Sequence, residues 1–145
     1  MMATPDNYIL RLIRGEVPQH PIGETLGARI LELDLEAGRL DMEFVGTDAF
    51  RNPAGSVQGG MLAAMLDDVT ASLATATAMQ DERCATLDLH TSFLRPAKVG
   101  TIRASARIVR RGREIVHVAG ELSQDGRPVA TATATCMLVA PRPGA

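Results

Sequence analysis

The segment from Met61 to Met79 constrains the fold of this 145-residue chain more than any other. It is rich in Ala, Leu and Met and contains neither Gly nor Pro, so it predicts the longest helix of the protein. Its apolar residues lie on every side of that helix rather than along one stripe, which is typical of a buried helix. The adjacent Asp67 and Asp68 would each cost about 2.5–3.5 kcal/mol at the centre of a bilayer, so we expect protein rather than lipid around it.

Beyond this helix the hydrophobic pattern changes to a period of two, which is typical of strands. Four strands are predicted, over residues 84–94, 101–110, 114–123 and 129–139. Asp125-Gly126, between the last two strands, is a common hairpin dipeptide. The final strand alternates Ala and Thr and therefore carries small side chains on both faces. We expect the helix to pack closely against it.

The part of the chain before the long helix predicts smaller elements. Residues 5–13 are expected to form a short N-terminal helix, and residues 15–27 a loop. Two apolar runs, 30–35 and 40–44, flank a turn and predict a hairpin. Ser56 is a candidate N-cap for the long helix. The elements together predict an α+β fold in one domain, with an N-terminal helix and loop over 1–23 and an antiparallel sheet around the long helix over 24–145.

The overall composition excludes several functional classes. The formal net charge of −2 argues against a general nucleic-acid binder. No stretch reaches the roughly 20 apolar residues of a membrane span, and the N-terminus does not resemble a signal peptide. Cys84 and Cys136 lack any metal-ligand spacing, so a cytoplasmic protein without a metal site is expected. Because only 3% of the residues are aromatic, the core must consist mainly of small and aliphatic side chains.

Charge is unevenly distributed along the chain. Between Arg95 and Arg113 there are seven basic residues and no acidic ones, whereas residues 24–48 hold seven acids and two arginines. These two regions either complement each other across a sheet or subunit contact, or the arginines form a phosphate-binding rim, since guanidinium groups suit phosphate oxygens. The candidate substrate-binding arginines are Arg95, Arg110, Arg111 and Arg113.

Two features of the long helix suggest chemistry. A carboxylate on a buried helix needs a partner or a shifted pKa, and Asp67 and Asp68, about 100° apart, do not both point into one site. The Gly59-Gly60 pair at the helix start leaves backbone N–H groups that can stabilise an oxyanion. The simpler alternatives are a solvent-facing or interface stripe for the aspartates and an ordinary turn for the glycines.

The remaining residues with catalytic potential show no such pattern. The three histidines, His20, His90 and His117, have no metal-ligand spacing to one another or to other ligand residues. Ser56 and Cys84 do not lie in a nucleophile motif. We therefore do not predict metal, serine or cysteine catalysis.

Two stretches of sequence carry a family resemblance. They are Asn52-Pro-x-Gly55-x-x-Gln58-Gly59-Gly60, followed by the apolar helix with Asp67, and the segment from Thr86 to Gly100. In this combination they resemble the hotdog-fold acyl-CoA thioesterases of the phenylacetate-pathway (PaaI-like) type, over about residues 24–140. The resemblance implies a curved antiparallel sheet of about six strands wrapped around one long helix. It also implies homodimers, often paired into tetramers, with active sites at the subunit interface.

The resemblance also implies roles for individual residues. Asp67 would be the catalytic carboxylate, acting as nucleophile or as general base for water, and the Gly59 N–H would polarise the thioester carbonyl. Asn52 would help to position the attacking group, Thr86 matches a hydroxyl residue of the family, and Gly60 would contact the substrate. The implied substrate is a small or medium acyl-CoA, aryl acyl groups included, with CoA as part of the substrate and no separate cofactor.

The sequence departs from the family pattern at Gln58, where a His usually precedes the two glycines. Gln58 remains a candidate catalytic residue, because its amide can donate a hydrogen bond towards the thioester, although it cannot transfer a proton. Hydrolysis tolerates this change, because a thiol with a pKa of about 8.5 leaves without much need of an acid. The alternative suggested by Gln58 is a non-catalytic protein that binds acyl-CoA.

Overall fold

The computed structural model describes residues 4–143, so the outermost ends of the predicted ranges 1–23 and 24–145 lie outside the described residues. Three helices and six strands follow one another along the chain. In order they are α1 (Tyr8–Ile13), α2 (Pro21–Thr25), β1 (Arg29–Asp34), β2 (Arg39–Gly46), α3 (Gly59–Ala76), β3 (Arg83–Phe93), β4 (Gly100–Arg111), β5 (Ile115–Gln124) and β6 (Arg127–Val139), with a 3-10 turn over Asp48–Phe50.

All six strands form one antiparallel sheet in the order β1-β2-β4-β5-β6-β3. Helix α3 lies on one face of this sheet and contacts strands β2 to β6. The predicted α+β hotdog architecture is therefore confirmed, and each predicted strand agrees with its observed bounds to within two residues.

Small residues let α3 approach the centre of the sheet closely. The inward side chains of β6 include the buried Ala130, Ala132 and Ala134. On β5, a Cβ added at Gly120 would lie 2.9 Å from Cγ2 of Thr70 on the helix. The expectation of close packing against an Ala-rich strand is thus met on the inner face, and it explains a core with so few aromatic residues.

One side of α3 remains uncovered in the single chain. Gly60 is exposed, and Ala63, Ala64, Asp67 and Ala71 are only half-buried. The prediction of a helix buried all round is therefore wrong for this stripe, because the sheet covers only one side of the helix. The stripe lies beside β3, an edge strand that pairs with β6 on one side only.

Three local predictions need correction. Residues 15–27 are not all loop, because Pro21, with its fixed φ, begins the short helix α2. Ser56 does not cap α3, whose N-cap is Gln58 without a side-chain hydrogen bond. The long helix spans Gly59–Ala76 rather than 61–79, and α1 begins at Tyr8, where Asn7 caps it, rather than at residue 5.

Asn7 anchors the N-terminal segment to the end of α3. Its side chain is fully buried, and its Nδ2 donates to the carbonyl oxygens of Ala76, at 3.1 Å, and Ala78, at 2.8 Å. Its Oδ1 accepts from the Leu10 amide at 3.1 Å. One side chain thus satisfies backbone groups at the termini of two helices. Among residues 4–143, no helix is long and apolar enough to cross a membrane.

Candidate active site

Asp67 and Thr86, nineteen positions apart in sequence, meet on the uncovered side of α3. The Thr86 hydroxyl donates to Oδ1 of Asp67 at 2.8 Å. Thr86 lies directly opposite Cys136 of β6, immediately before a bulge in β3 that disrupts the pairing at Leu87. The hydrogen bond holds one carboxylate oxygen and leaves Oδ2 without a partner among the described residues, so Oδ2 is the oxygen available for chemistry.

The start of α3 presents two backbone N–H groups without acceptors in the described part of the chain. The amides before them are used, because Val57 donates to the Ala97 carbonyl and Gln58 to the Phe50 carbonyl. Gly59 and Gly60 follow as the first helical residues. A Cβ at Gly60 would meet no atom within 4 Å, and a Cβ at Gly59 would make ordinary contact with the Phe93 ring at 3.5 Å. Nothing in the single chain therefore requires glycine here.

Asn52 closes the loop that leads to the helix. Its Oδ1 accepts from the amides of Ala54, at 3.0 Å, and Ser56, at 3.1 Å. Its backbone N–H also donates to the Ser56 carbonyl at 2.8 Å. These bonds fix the side chain of Asn52, and Ser56 lies in this loop, two residues before the N-cap position of α3. The Nδ2 group of Asn52 has no acceptor among residues 4–143, so it can donate to a ligand.

The single chain does not bring the two halves of the predicted site together. Gly59 and Asp67 are eight residues apart on a continuous helix, which separates them by about 12 Å along its axis. Asp67 and Thr86 form one group, and Gly59, Gly60, Gln58 and Asn52 form another. A thioester carbonyl cannot touch both groups of the same chain.

The predicted arginines are likewise divided between two places. The guanidinium group of Arg95 donates to the Pro128 carbonyl at 2.5 Å, beyond the Phe93 end of β3. The side chain of Arg111 lies at the other end of α3, where Nε donates to Oγ1 of Thr77 at 2.8 Å. Arg110 and Arg113 are exposed near it and form no ion pair within residues 4–143.

The alternative that the basic and acidic regions complement each other holds for one contact. Arg103 on β4 lies 3.7 Å from Glu43 on the neighbouring β2. Within the acidic region itself, Glu43 also pairs with Arg29, and Asp41 pairs with Arg39. Among residues 4–143, Arg103 is therefore the one residue of the basic segment that pairs with the acidic region.

Asp68 belongs to a hydrogen-bonded chain that sequence reasoning missed. His20 Nε2 lies 3.3 Å from Oδ1 of Asp68, and His20 Nδ1 lies 2.9 Å from the Tyr8 hydroxyl. Burial raises the pKa of Asp68, an effect that His20 partly offsets. These residues lie 12 and 48 positions apart in sequence, and no motif links them, so only the docking of the N-terminal segment on α3 reveals the contact.

Two thiols lie beside the Asp67–Thr86 pair. The interaction with Cys136, together with burial, holds the pKa of Cys84 above its ordinary value. Cys84 is therefore a protonated thiol at neutral pH. A protonated thiol is a poor nucleophile, because the thiolate is the reactive form.

Comparisons with known proteins bear on the family and the fold of the chain. The family described as acyl-CoA thioesterase N-terminal domain matches residues 48–137. A solved thioesterase from Ralstonia eutropha JMP134, described as related to phenylacetic acid degradation, is 60% identical, with 90% of this chain and 99% of that chain covered and a TM-score of 0.88. A thioesterase family protein from Silicibacter pomeroyi is 25% identical, with 92% and 100% covered and a TM-score of 0.80.

A more distant structure shares the fold. The protein smu.793 from Streptococcus mutans UA159, solved with acetyl-CoA bound, is 22% identical, with 79% of this chain and 90% of that chain covered and a TM-score of 0.70. No curated protein sequence matches the chain significantly. Because the family match spans more than half of the chain and a 60% identical thioesterase covers nearly all of it, this chain belongs to the hotdog-fold acyl-CoA thioesterase family and is a hydrolase acting on thioesters.

Proposed function

We propose that the protein is a homodimer, alone or as a dimer of dimers, that hydrolyses small or medium acyl-CoA thioesters at two sites shared between the subunits. In each site Asp67 and Thr86 of one subunit face Gly59, Gly60 and Asn52 of the other. The observation that carries this proposal is the separation of about 12 Å between the two halves of the site within one chain.

A two-fold axis beside β3 would close this gap. The uncovered stripe of α3 and the unpaired edge of β3 lie on the same side of the molecule. Within the chain, Asp67 is beside Thr86 and Gly59 is beside Phe93, so α3 and β3 run in opposite directions. If two such edges pair antiparallel, the two α3 helices also run antiparallel, and the start of one helix meets the middle of the other. The small residues of the stripe permit the close approach.

The chemistry follows from this arrangement. The Gly59 N–H, helped by the helix dipole, stabilises the oxyanion that forms on the thioester carbonyl, an effect worth roughly 10²–10³ in rate for one donor. The Asn52 Nδ2 group donates to the carbonyl or to the attacking group. Asp67, oriented by Thr86, either takes a proton from the water molecule that attacks the carbonyl carbon, or attacks that carbon itself through its second oxygen and forms a mixed anhydride that water then hydrolyses. The departing thiolate is stable enough to leave without a histidine, since its pKa is about 8.5.

Several features support an acyl-CoA substrate of modest size. A surface depression of about 350 Å³ lies close to Asp67 along α3. Its lining includes Asp68, Ala71, Ser72 and Cys84. The exposed Arg110 and Arg113 are candidates for the CoA phosphates. The acetyl-CoA bound to the Streptococcus mutans structure and the phenylacetic acid context of the Ralstonia eutropha thioesterase support short and aryl acyl groups as the first to test.

A thiol-release assay over acetyl-, hexanoyl- and phenylacetyl-CoA tests this function. We expect the wild-type protein to hydrolyse at least one of them and Asp67→Asn to lose nearly all of that activity. Asp88→Asn is the matched control and should keep full activity, because this exposed carboxylate lies on the same strand but, after the bulge at Leu87, on the opposite face from Thr86. Saturable binding without turnover by the wild-type protein would instead favour a non-catalytic acyl-CoA binder.

A further inference from the structure

The Tyr8 side chain is held between the N-terminal segment and the start of β3. Its hydroxyl lies 2.9 Å from Nδ1 of His20, and Nε2 of His20 lies 3.3 Å from Oδ1 of Asp68 on α3. The guanidinium group of Arg83, at the first position of β3, lies over the Tyr8 ring, 5.1 Å from its centroid. Contacts to α3 and to β3 therefore fix the ring in one place.

A second set of contacts holds the same segment to the fold. Oδ1 of Asp81 lies 2.6 Å from Nη1 of Arg83 and 2.7 Å from Nη2 of Arg11, which joins α1 to the start of β3. The buried Asn7 donates to carbonyl groups at the end of α3. Exposed ion pairs contribute little to stability, so the main effect of the Asp81 contacts is to hold α1 and Tyr8 in position.

Tyr8 forms part of the surface depression of about 350 Å³ that lies close to Asp67. The second half of α3, the start of β3 and the N-terminal segment border this depression. Ala71 lines it one helical turn beyond Asp67, about 6 Å along the helix axis. Cys84 lines it from β3, two positions before Thr86 and on the same face of the strand. The depression therefore begins beside the Asp67–Thr86 pair, and Tyr8 lies on its far side.

The lining of the depression suits an apolar group. Ile9, Ala71 and the ring of Tyr8 contribute carbon surface. The Tyr8 hydroxyl is engaged by His20, and the Thr75 hydroxyl donates to the Ala71 carbonyl at 2.8 Å. The volume lies at the lower end of the range for ligand pockets, about 300–1,000 Å³. An apolar acyl chain whose carbonyl carbon lies beside the catalytic carboxylate can therefore extend into the depression.

We propose that Tyr8 is a specificity-determining residue, whose ring forms the far wall of the acyl pocket and limits the length of the apolar acyl chain that the site accepts. The inference rests on the proposed function, because it takes the depression as the place of the acyl group. Residues 8–20 lie outside residues 48–137, which the family match covers, so a part of the chain that family membership does not describe sets this limit. The contact of His20 with Asp68 then supports the far wall and takes no part in the chemistry.

Removal of the ring should shift the preference for acyl-chain length. We expect Tyr8→Ala to raise the ratio of kcat/KM for decanoyl-CoA to kcat/KM for acetyl-CoA about tenfold, since each newly buried CH₂ group contributes roughly fourfold. The value for acetyl-CoA itself should change little, because a two-carbon acyl group does not reach the far wall. Leu12→Ala is the matched control, because Leu12 of α1 lines a different groove, against β1. Its ratio should equal that of the wild-type protein.

Tyr8→Trp gives a readout that does not depend on turnover. The chain contains no tryptophan, so the indole emission of this variant reports on position 8 alone. In combination with Asp67→Asn, which should leave the thioester intact, saturating decanoyl-CoA should shift that emission, whereas free CoA and acetyl-CoA should not. Leu12→Trp in the same background should respond to none of the three compounds.

The two measurements separate the far wall from the proposed function. A ratio that does not rise in Tyr8→Ala, whether or not both substrates lose activity, would show that Tyr8 only supports the fold and would overturn the inference. An indole emission at position 8 that ignores decanoyl-CoA would overturn it as well, and active wild-type protein would keep the proposed function in both cases. If the wild-type protein hydrolyses no acyl-CoA while the emission follows decanoyl-CoA, the acyl pocket stands and the proposed function is refuted.

Discussion

Replacing Thr86 with valine isolates the contribution of one hydroxyl to the candidate site. Valine keeps the shape and strand preference of threonine and removes only the donor that lies 2.8 Å from Oδ1 of Asp67. A hydrogen bond to a charged group contributes about 1.5–3 kcal/mol, which corresponds to roughly 10- to 150-fold in rate. Because Thr86 is exposed in the single chain and water can replace part of its effect, we expect the lower end, about a tenfold loss of kcat.

The assay is steady-state thiol release, with kcat and KM determined separately. KM should change little, because the hydroxyl orients the catalytic carboxylate rather than contacting the CoA moiety. Thr86→Ser retains the hydroxyl and should keep activity within about threefold of wild type. Unchanged kcat in Thr86→Val, or an equal loss in Thr86→Ser, would refute the role assigned to this hydrogen bond.

Further predictions concern stability and reactivity. Gly120→Ala should lower the free energy of unfolding by about 1–3 kcal/mol in urea titrations, because its Cβ would lie 2.9 Å from Thr70 on α3. An unchanged free energy of unfolding would show that the helix can move away from the sheet. Gly60→Ala, with open space around its Cβ in the single chain, should leave the folded subunit intact yet weaken the dimer measured by sedimentation. Asn7→Ala should cost about 1–3 kcal/mol in the same titrations, because two buried carbonyl groups lose their donor. Cys84 should react slowly with iodoacetamide at neutral pH and quickly once the protein is unfolded, since its pKa is raised in the fold; equal rates would contradict the protonated state.

The strands and the long helix were predictable because their hydrophobic periods are clear. Alternation along β4 places Ile102, Ala104 and Ala106 in the core, as the structure shows. Helix termini were less predictable, since they depend on local hydrogen bonds rather than on period. Ser56 is a residue type that often caps helices, but it lies in the loop closed by Asn52, two residues before the N-cap of α3. Residues 15–27 were predicted to form a loop, although Pro21 is well suited to begin α2.

The candidate site, like the fold, was predictable only in part. The resemblance pointed to Asp67 and Thr86, and the structure brings them within hydrogen-bonding distance. The contact of His20 with Asp68 was not predictable, because it joins residues from separate elements that no spacing connects. The uncovered stripe of α3 was not predictable from the sequence either. An apolar helix face that packs against a second subunit has the same composition as one that packs against the core.

Mixing two inactive variants tests the shared site most directly. Asp67→Asn and Asn52→Ala impair opposite halves of the site, and each should be inactive or nearly so as a homodimer. If every site takes Asp67 from one subunit and Asn52 from the other, each mixed dimer contains one site free of both substitutions. We therefore predict that unfolding and refolding the two variants together, or producing them together, restores thiol release to a substantial fraction of wild type. If the mixture stays as inactive as its components although sedimentation shows mixed dimers, each chain holds its own complete site, and the central claim is contradicted.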